Sequence, residues 1–89
     1  MKTIVDYIED LKEKYNLPSY FKAMQYIDMD RQAWTKIKNG GGISDKNALR
    51  LAKALKIEPL EIMAISNALK SKNVEIRTIW ARLAEEKKK

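Results

Sequence analysis

Met29-Asp30-Arg31-Gln32-Ala33-Trp34-Thr35-Lys36-Ile37-Lys38-Asn39-Gly40-Gly41-Gly42 is the stretch on which the fold turns. Asp30 is a good N-cap, and the residues after it predict a helix over Arg31–Lys38. Trp34 and Ile37 lie three apart, so they share one face and are expected inside. Arg31, Gln32, Thr35 and Lys36 then point the other way. Asn39 and three glycines stop the helix, since glycine readily takes the left-handed conformation at a helix end. The run lacks the Gly-Lys-Ser/Thr ending of a phosphate loop, and no strand precedes it. It reads as a helix stop and a flexible loop.

Upstream, Ser19 caps a short helix through about Tyr26, and Asp28-Met29-Asp30 reads as a turn. Two short helices joined so tightly, the second basic and polar outside, make a helix-turn-helix arrangement. A helix about 10–12 Å across fits the major groove of B-DNA. Arg31 suits the two guanine acceptors, Gln32 suits adenine, and Thr35 suits a base or a phosphate. Lys36, Lys38 and backbone groups near Asn39 suit phosphates, which fix register without reading sequence. Ser19 and Tyr20 are candidates for one more phosphate clamp.

Farther out the chain stays helical. Ile4, Ile8, Leu11 and Tyr15 recur at helical spacing, with Val5 widening the stripe. Thr3 and Asp6 form a box-like start, Asn16 an end, and Pro18 a stop. Asp6, Glu9, Asp10 and Glu13 flank that helix among lysines, without any His, as a solvated acidic face rather than a metal or acid–base site. Ser44 caps a helix whose inward face is Ala48, Leu51, Ala52 and Leu55. Pro59 opens the next, Leu60 to about Lys70, which is apolar nearly all round and therefore central or shared with a partner. Asn73 starts a last helix with the stripe Ile76, Ile79, Trp80 and Leu83, and the tail from Glu85 to Lys89 is expected to fray. No alternating strand pattern and no repeat appears.

The 89 residues make one domain. With no His and no Cys, the usual metal ligands, the thiol nucleophile and any disulfide are absent. With no phosphate loop either, an enzyme is not expected, nor any cofactor, metal or small-molecule ligand. No apolar run reaches the length of about 20 residues that spans a bilayer. Acid follows too soon after Met1 for a signal peptide, so the expected location is the cytoplasm. The net charge is +6, and residues 30–56 carry seven bases against two acids, Asp30 and Asp45. Positive charge concentrated in the central third favours a polyanion.

From about Ile8 to Ala64 the chain resembles the Cro/CI-type (XRE) helix-turn-helix family of phage and bacterial regulators. The resemblance lies in Met29 to Gly40, and in Ala48-Leu49-Arg50-Leu51-Ala52-Lys53-Ala54-Leu55-Lys56-Ile57 followed by Pro59-Leu60-Glu61-Ile62. It implies an all-α, compact five-helix lambda-repressor-like core, here with an additional C-terminal helix. It also implies DNA binding through the third helix, and a dimer on an inverted repeat. The whole chain looks like small phage-related proteins. The sequence departs from the family at Tyr20, Met24 and Asp28, where the pattern has Gln, Ala and Gly. Trp34 stands where Val or Ile is usual and reads as a core anchor.

Residues 1–71 are thus expected to form a helix-turn-helix DNA-binding domain. Residues 72–89 form a C-terminal helix and charged tail, belonging to the same unit or to a dimer interface. The expected function is a sequence-specific double-stranded DNA-binding transcriptional regulator, a repressor by class and possibly phage-encoded, acting as a homodimer. The alternative is a small helical protein-interaction module that binds a host protein through helices 60–70 and 73–84.

Overall fold

In a computed structural model of the chain, residues 1–88 are described; they are all-helical, with no strand among them. The elements are α1 (Ile4–Tyr15), α2 (Tyr20–Tyr26), a single 3-10 turn (Arg31–Ala33) running into α3 (Trp34–Lys38), α4 (Asp45–Leu55), α5 (Pro59–Lys70) and α6 (Val74–Lys87). The caps follow the sequence. The Thr3 N–H donates to Asp6 Oδ2 at 2.8 Å. Ser19 Oγ accepts from the Lys22 N–H, Ser44 Oγ from the Asn47 N–H, and Asn73 Oδ1 from the Ile76 N–H. Asn16 takes the left-handed conformation that ends α1, and Pro59 sits in the first turn of α5 where its missing N–H costs nothing.

The core gathers Ile4, Tyr7, Ile8 and Leu11 of α1, Ala23 and Met24 of α2, Ile37 of α3, Leu51 and Ala52 of α4, and Ile62 and Ile65 of α5. The apolar α5 is central, packing against α1, α4 and α6. Among these contacts lies one buried polar pair. The Tyr7 hydroxyl donates to Glu61 Oε2 at 2.6 Å. Glu61 stands in the first turn of α5, where the helix dipole favours a carboxylate. Burial, and then the Glu61 carboxylate, push the Tyr7 phenol well above its ordinary pKa of 10.0. An unfolded tyrosine therefore ionises above pH 10 while the folded one keeps its proton, so stability falls as pH rises past that point. Tyr7→Phe is expected to lower stability near pH 7 by about 1–3 kcal/mol, because it strands a buried carboxylate. It should also flatten the alkaline loss; denaturant melts at pH 7 and pH 11 measure both.

Four expectations are corrected. The segment Arg31–Lys38 is not one α-helix: its first three residues form a tighter 3-10 turn, set by the Asp30 carboxylate accepting from the Gln32 N–H at 2.8 Å. The glycine run is not a loose loop. Gly40 is left-handed at φ +85°, as a helix stop requires, but Gly42 is pressed onto α5, where an added Cβ would stand 2.5 Å from the Ser66 carbonyl oxygen. The stripe of α6 splits: Trp80 and Leu83 pack on the core, but Ile76 and Ile79 are 47% and 58% exposed. Ala84 takes the buried position instead, because α6 lies along α5 on its Trp80–Ala84 side. Finally, the segment from Glu85 does not fray at once. The helix continues to Lys87, held by buried Ala84 and a Lys88–Glu85 ion pair of 3.6 Å; Lys89 lies outside the described residues.

Candidate nucleic-acid interface

The surface of interest is built on α2, the 3-10 turn and α3. Between α2 and Asp30 the chain reverses through Ile27, Asp28 and Met29. Ile27 and Met29 are buried, and their N–H groups both donate to the Met24 carbonyl. Asp28 is left-handed at φ +57°, a conformation that glycine adopts more cheaply. Arg50 of α4 secures it, donating to the Asp28 carbonyl at 2.8 Å and standing 3.8 Å from its carboxylate. Met24 is buried, and α2 runs unbroken through it.

Ile37 is fully buried and anchors α3 to the core. Trp34 is half-buried beside it, stacked on Tyr20 at 4.8 Å between ring centres and met edge-on by Phe21 at 6.0 Å. It packs against the core, as the sequence reading expects, and against aromatic rings of α2 as well. Gln32, Thr35, Lys36, Lys38 and Asn39 are all exposed, Thr35 and Lys36 on the side away from Trp34 and Ile37 and Lys38 one turn after Trp34. Arg31 is exposed as well but turned toward α2. In a 3-10 turn residues i and i+3 eclipse, so Arg31 lies over Trp34. Its guanidinium rests 4.3 Å from the centre of the Phe21 ring, a cation–π contact that limits the orientations of the side chain.

The two clamp candidates on α2 differ. Ser19 Oγ is engaged as the α2 cap, with its hydroxyl hydrogen still able to donate. Tyr20 is committed elsewhere: its ring is stacked on Trp34 and covered by the Lys12 ammonium at 4.2 Å. The neighbouring Glu9 carboxylate, before anything else, pushes the phenol above its ordinary pKa. A tyrosine held against the acidic flank of α1 is poorly placed for a phosphate, so of the predicted residues Tyr20 stands apart from the rest.

Two grooves border the exposed face. One, of about 380 Å³, lies between α2 and the 3-10 turn and is lined by Ser19, Phe21, Lys22, Gln25, Met29 and Arg31. The other, of about 500 Å³, lies between α3 and the start of α4, with Gln32, Lys36, Gly42, Ser44, Asn47 and Lys70 on its walls. Asn47 and Lys70 were missed from sequence. Lys70 ends α5, 32 residues beyond Lys38. It reaches this groove only because its side chain lies across Gly42, where an added Cβ would stand 2.9 Å from Lys70 Cγ. Nothing in the local pattern signals that placement.

One contact sets the position of this whole surface against α5. Ser66 is fully buried, and its hydroxyl accepts from the Ile43 N–H at 2.8 Å while donating to the Ile43 carbonyl at 2.7 Å. Both backbone groups of one loop residue are satisfied by one side chain. No cluster of acidic residues able to hold a metal ion occurs among the described residues, and no helix there is long and apolar enough to cross a membrane. Comparison with family models, with curated proteins and with solved structures gives no match.

Proposed function

We propose that the protein is a sequence-specific, double-stranded DNA-binding regulator of the lambda-repressor-like helix-turn-helix class, a non-catalytic repressor that lays residues 31–38 in the major groove. The observation that carries this reading is the two-sidedness of that segment. Ile37 and Trp34 hold it from behind, while Gln32, Thr35 and Lys36 stand free in front and Arg31 is steadied at the edge. Gln32 and Arg31 read base edges, Thr35 a base or a phosphate. Lys36, Lys38 and Lys70, with the Asn39 and Ser19 groups, grip phosphates on either side. Of the two carboxylates beside this face, Asp28 stands 3.8 Å from the Arg50 guanidinium and Asp30 accepts from the Gln32 N–H.

A module of this size covers only about 600–1,000 Å² of DNA, so two copies on half-sites about 34–36 Å apart are part of the reading. Lys36→Ala or Lys38→Ala is expected to weaken binding to every duplex alike. Each should lower the slope of log affinity against log salt by about 1, since each removes one phosphate contact. Fluorescence anisotropy on a selected and a scrambled duplex, from 50 to 300 mM salt on the order of those used for such titrations, measures it. A loss confined to the selected duplex would contradict the phosphate role.

A further inference from the structure

A third groove, of about 470 Å³, opens between α1, the end of α4 and the start of α5. It shares no lining residue with the two beside residues 31–38. Glu61 lines it, although only 6% of that residue is exposed. A glutamate is rarely buried so far unless it is paired, and Glu61 makes no ion pair among the described residues. Its Oε2 accepts from the neutral Tyr7 hydroxyl. Its Oε1 accepts no hydrogen bond. Every fully enclosed side-chain oxygen among the described residues has a partner, so Oε1 stays open to the groove. The lysines that line the groove are engaged elsewhere. Lys2 is bonded to Asp10 and lies over the Tyr7 ring at 4.4 Å, and Lys14 lies over the Tyr15 ring at 5.9 Å. Glu13, exposed on the rim, makes no ion pair among the described residues either. Leu55 and Ile57, both half-buried, give the groove an apolar wall.

We propose that this groove binds a small aliphatic diamine, with one ammonium on Glu61 Oε1, the other at Glu13, and the alkyl chain against Leu55 and Ile57. The argument is charge and fit together. Two unpaired carboxylates in one groove select a cation, although the chain as a whole carries +6 and attracts anions. Among the described residues no acidic cluster is arranged to hold a metal ion, so the cation is organic. A groove of this volume falls at the small end of ligand sites, which run from about 300 to 1,000 Å³, and has room for an alkyl chain beside the charge. The open oxygen inside the groove offers an ammonium a charge-assisted hydrogen bond shielded from water. The face of Tyr7 already carries one ammonium, that of Lys2, so the surroundings tolerate such a group. None of residues 31–38 takes part, and the test uses no DNA, so this proposal and the DNA reading fail separately.

Titration of the full chain with diaminobutane, followed by amide NMR shifts at constant ionic strength and about pH 7, where alkylamines are protonated, is the experiment. Saturable shifts are expected at Tyr7, Leu55, Ile57 and Glu61, with a dissociation constant on the order of 1 mM or tighter. Butylamine, with one ammonium, is expected to bind about threefold more weakly, since the rim pair is exposed to water. Butanediol, with no charge, is expected not to saturate. Glu61→Gln keeps the size of the side chain and an acceptor for Tyr7, and is expected to weaken diaminobutane about tenfold or more. Glu13→Gln changes only an exposed side chain and is expected to abolish the preference for diaminobutane over butylamine, so the test stands even where Glu61→Gln disturbs the fold. Shifts that rise without saturating overturn the proposal, as do shifts confined to Asp6 and Glu9 outside the groove. So does a folded Glu61→Gln variant that binds like the parent, a Glu13→Gln variant that keeps the preference, or butanediol that binds as tightly as the diamine.

Discussion

An Arg31→Ala, Gln32→Ala double variant is expected to lose about 2–6 kcal/mol of affinity for its selected DNA site, at roughly 1–3 kcal/mol per base contact. Its affinity for unrelated duplex should change little beyond the loss of one positive charge. The two effects separate reading from gripping. The fold should not suffer much, because both side chains are exposed. Losing the Arg31–Phe21 contact costs about 0.5–1 kcal/mol at an exposed site. Binding isotherms on both duplexes, beside a thermal melt, check all three statements. The Phe21 ring adds a finer expectation: Phe21→Ala frees Arg31 and should weaken the selected site more than the unrelated one. If the double variant held the selected site as tightly as the parent, residues 31–38 would not be the reading element.

Ser66→Ala is expected to be the most damaging small substitution in the chain, at about 2–4 kcal/mol. It removes one hydroxyl but strands two buried backbone groups, the Ile43 N–H and the Ile43 carbonyl. A buried polar group left unpaired costs about 1–3 kcal/mol. For a domain of this size that is a large share of a total stability of about 5–15 kcal/mol. Gly42→Ala should act on the same joint from the other side, because its Cβ meets the Ser66 backbone, which cannot swing away as a side-chain end would. The two changes share one contact, so together they should cost less than the sum of each alone. Urea denaturation of the three variants measures this. An alanine at 66 that melts with the parent would show that water or a loop shift satisfies Ile43 instead.

The helices were legible because their signals are local. Thr3 with Asp6, Ser19, Asp30, Ser44 and Asn73 are capping residues placed just before apolar periodicity, and each one is a cap in the structure. The central place of α5 followed from an apolar residue on nearly every side of it. What escaped were features that depend on residues far apart in the chain. Gly42 looked like slack, and only the approach of Ser66, 24 residues later, makes it a packed joint. Ile76 and Ile79 fit a core stripe by spacing, yet α5 covers only one side of α6, and spacing alone does not say which side. The 3-10 start at Arg31 turns on the reach of the Asp30 carboxylate, a detail finer than residue class. At the candidate interface, Gln32, Thr35, Lys36, Lys38 and Asn39 were identifiable as exposed polar residues, but Arg31, expected on the side away from Trp34, turns toward α2 and lies against Phe21, because the 3-10 turn sets it over Trp34. The stacking of Tyr20 on Trp34 under Lys12 was not legible, because it arises only when α1, α2 and α3 meet.

Repeated selection from a random pool of double-stranded DNA, at one fixed salt concentration, tests the central claim most directly. A DNA reader built on residues 31–38 predicts that the pool converges on a short sequence, repeated in inverted orientation one helical turn apart, and that Arg31→Ala blurs it at one position in each half. A pool that stays random while the chain still binds duplex, or a chain that holds no duplex even at low salt, would contradict it.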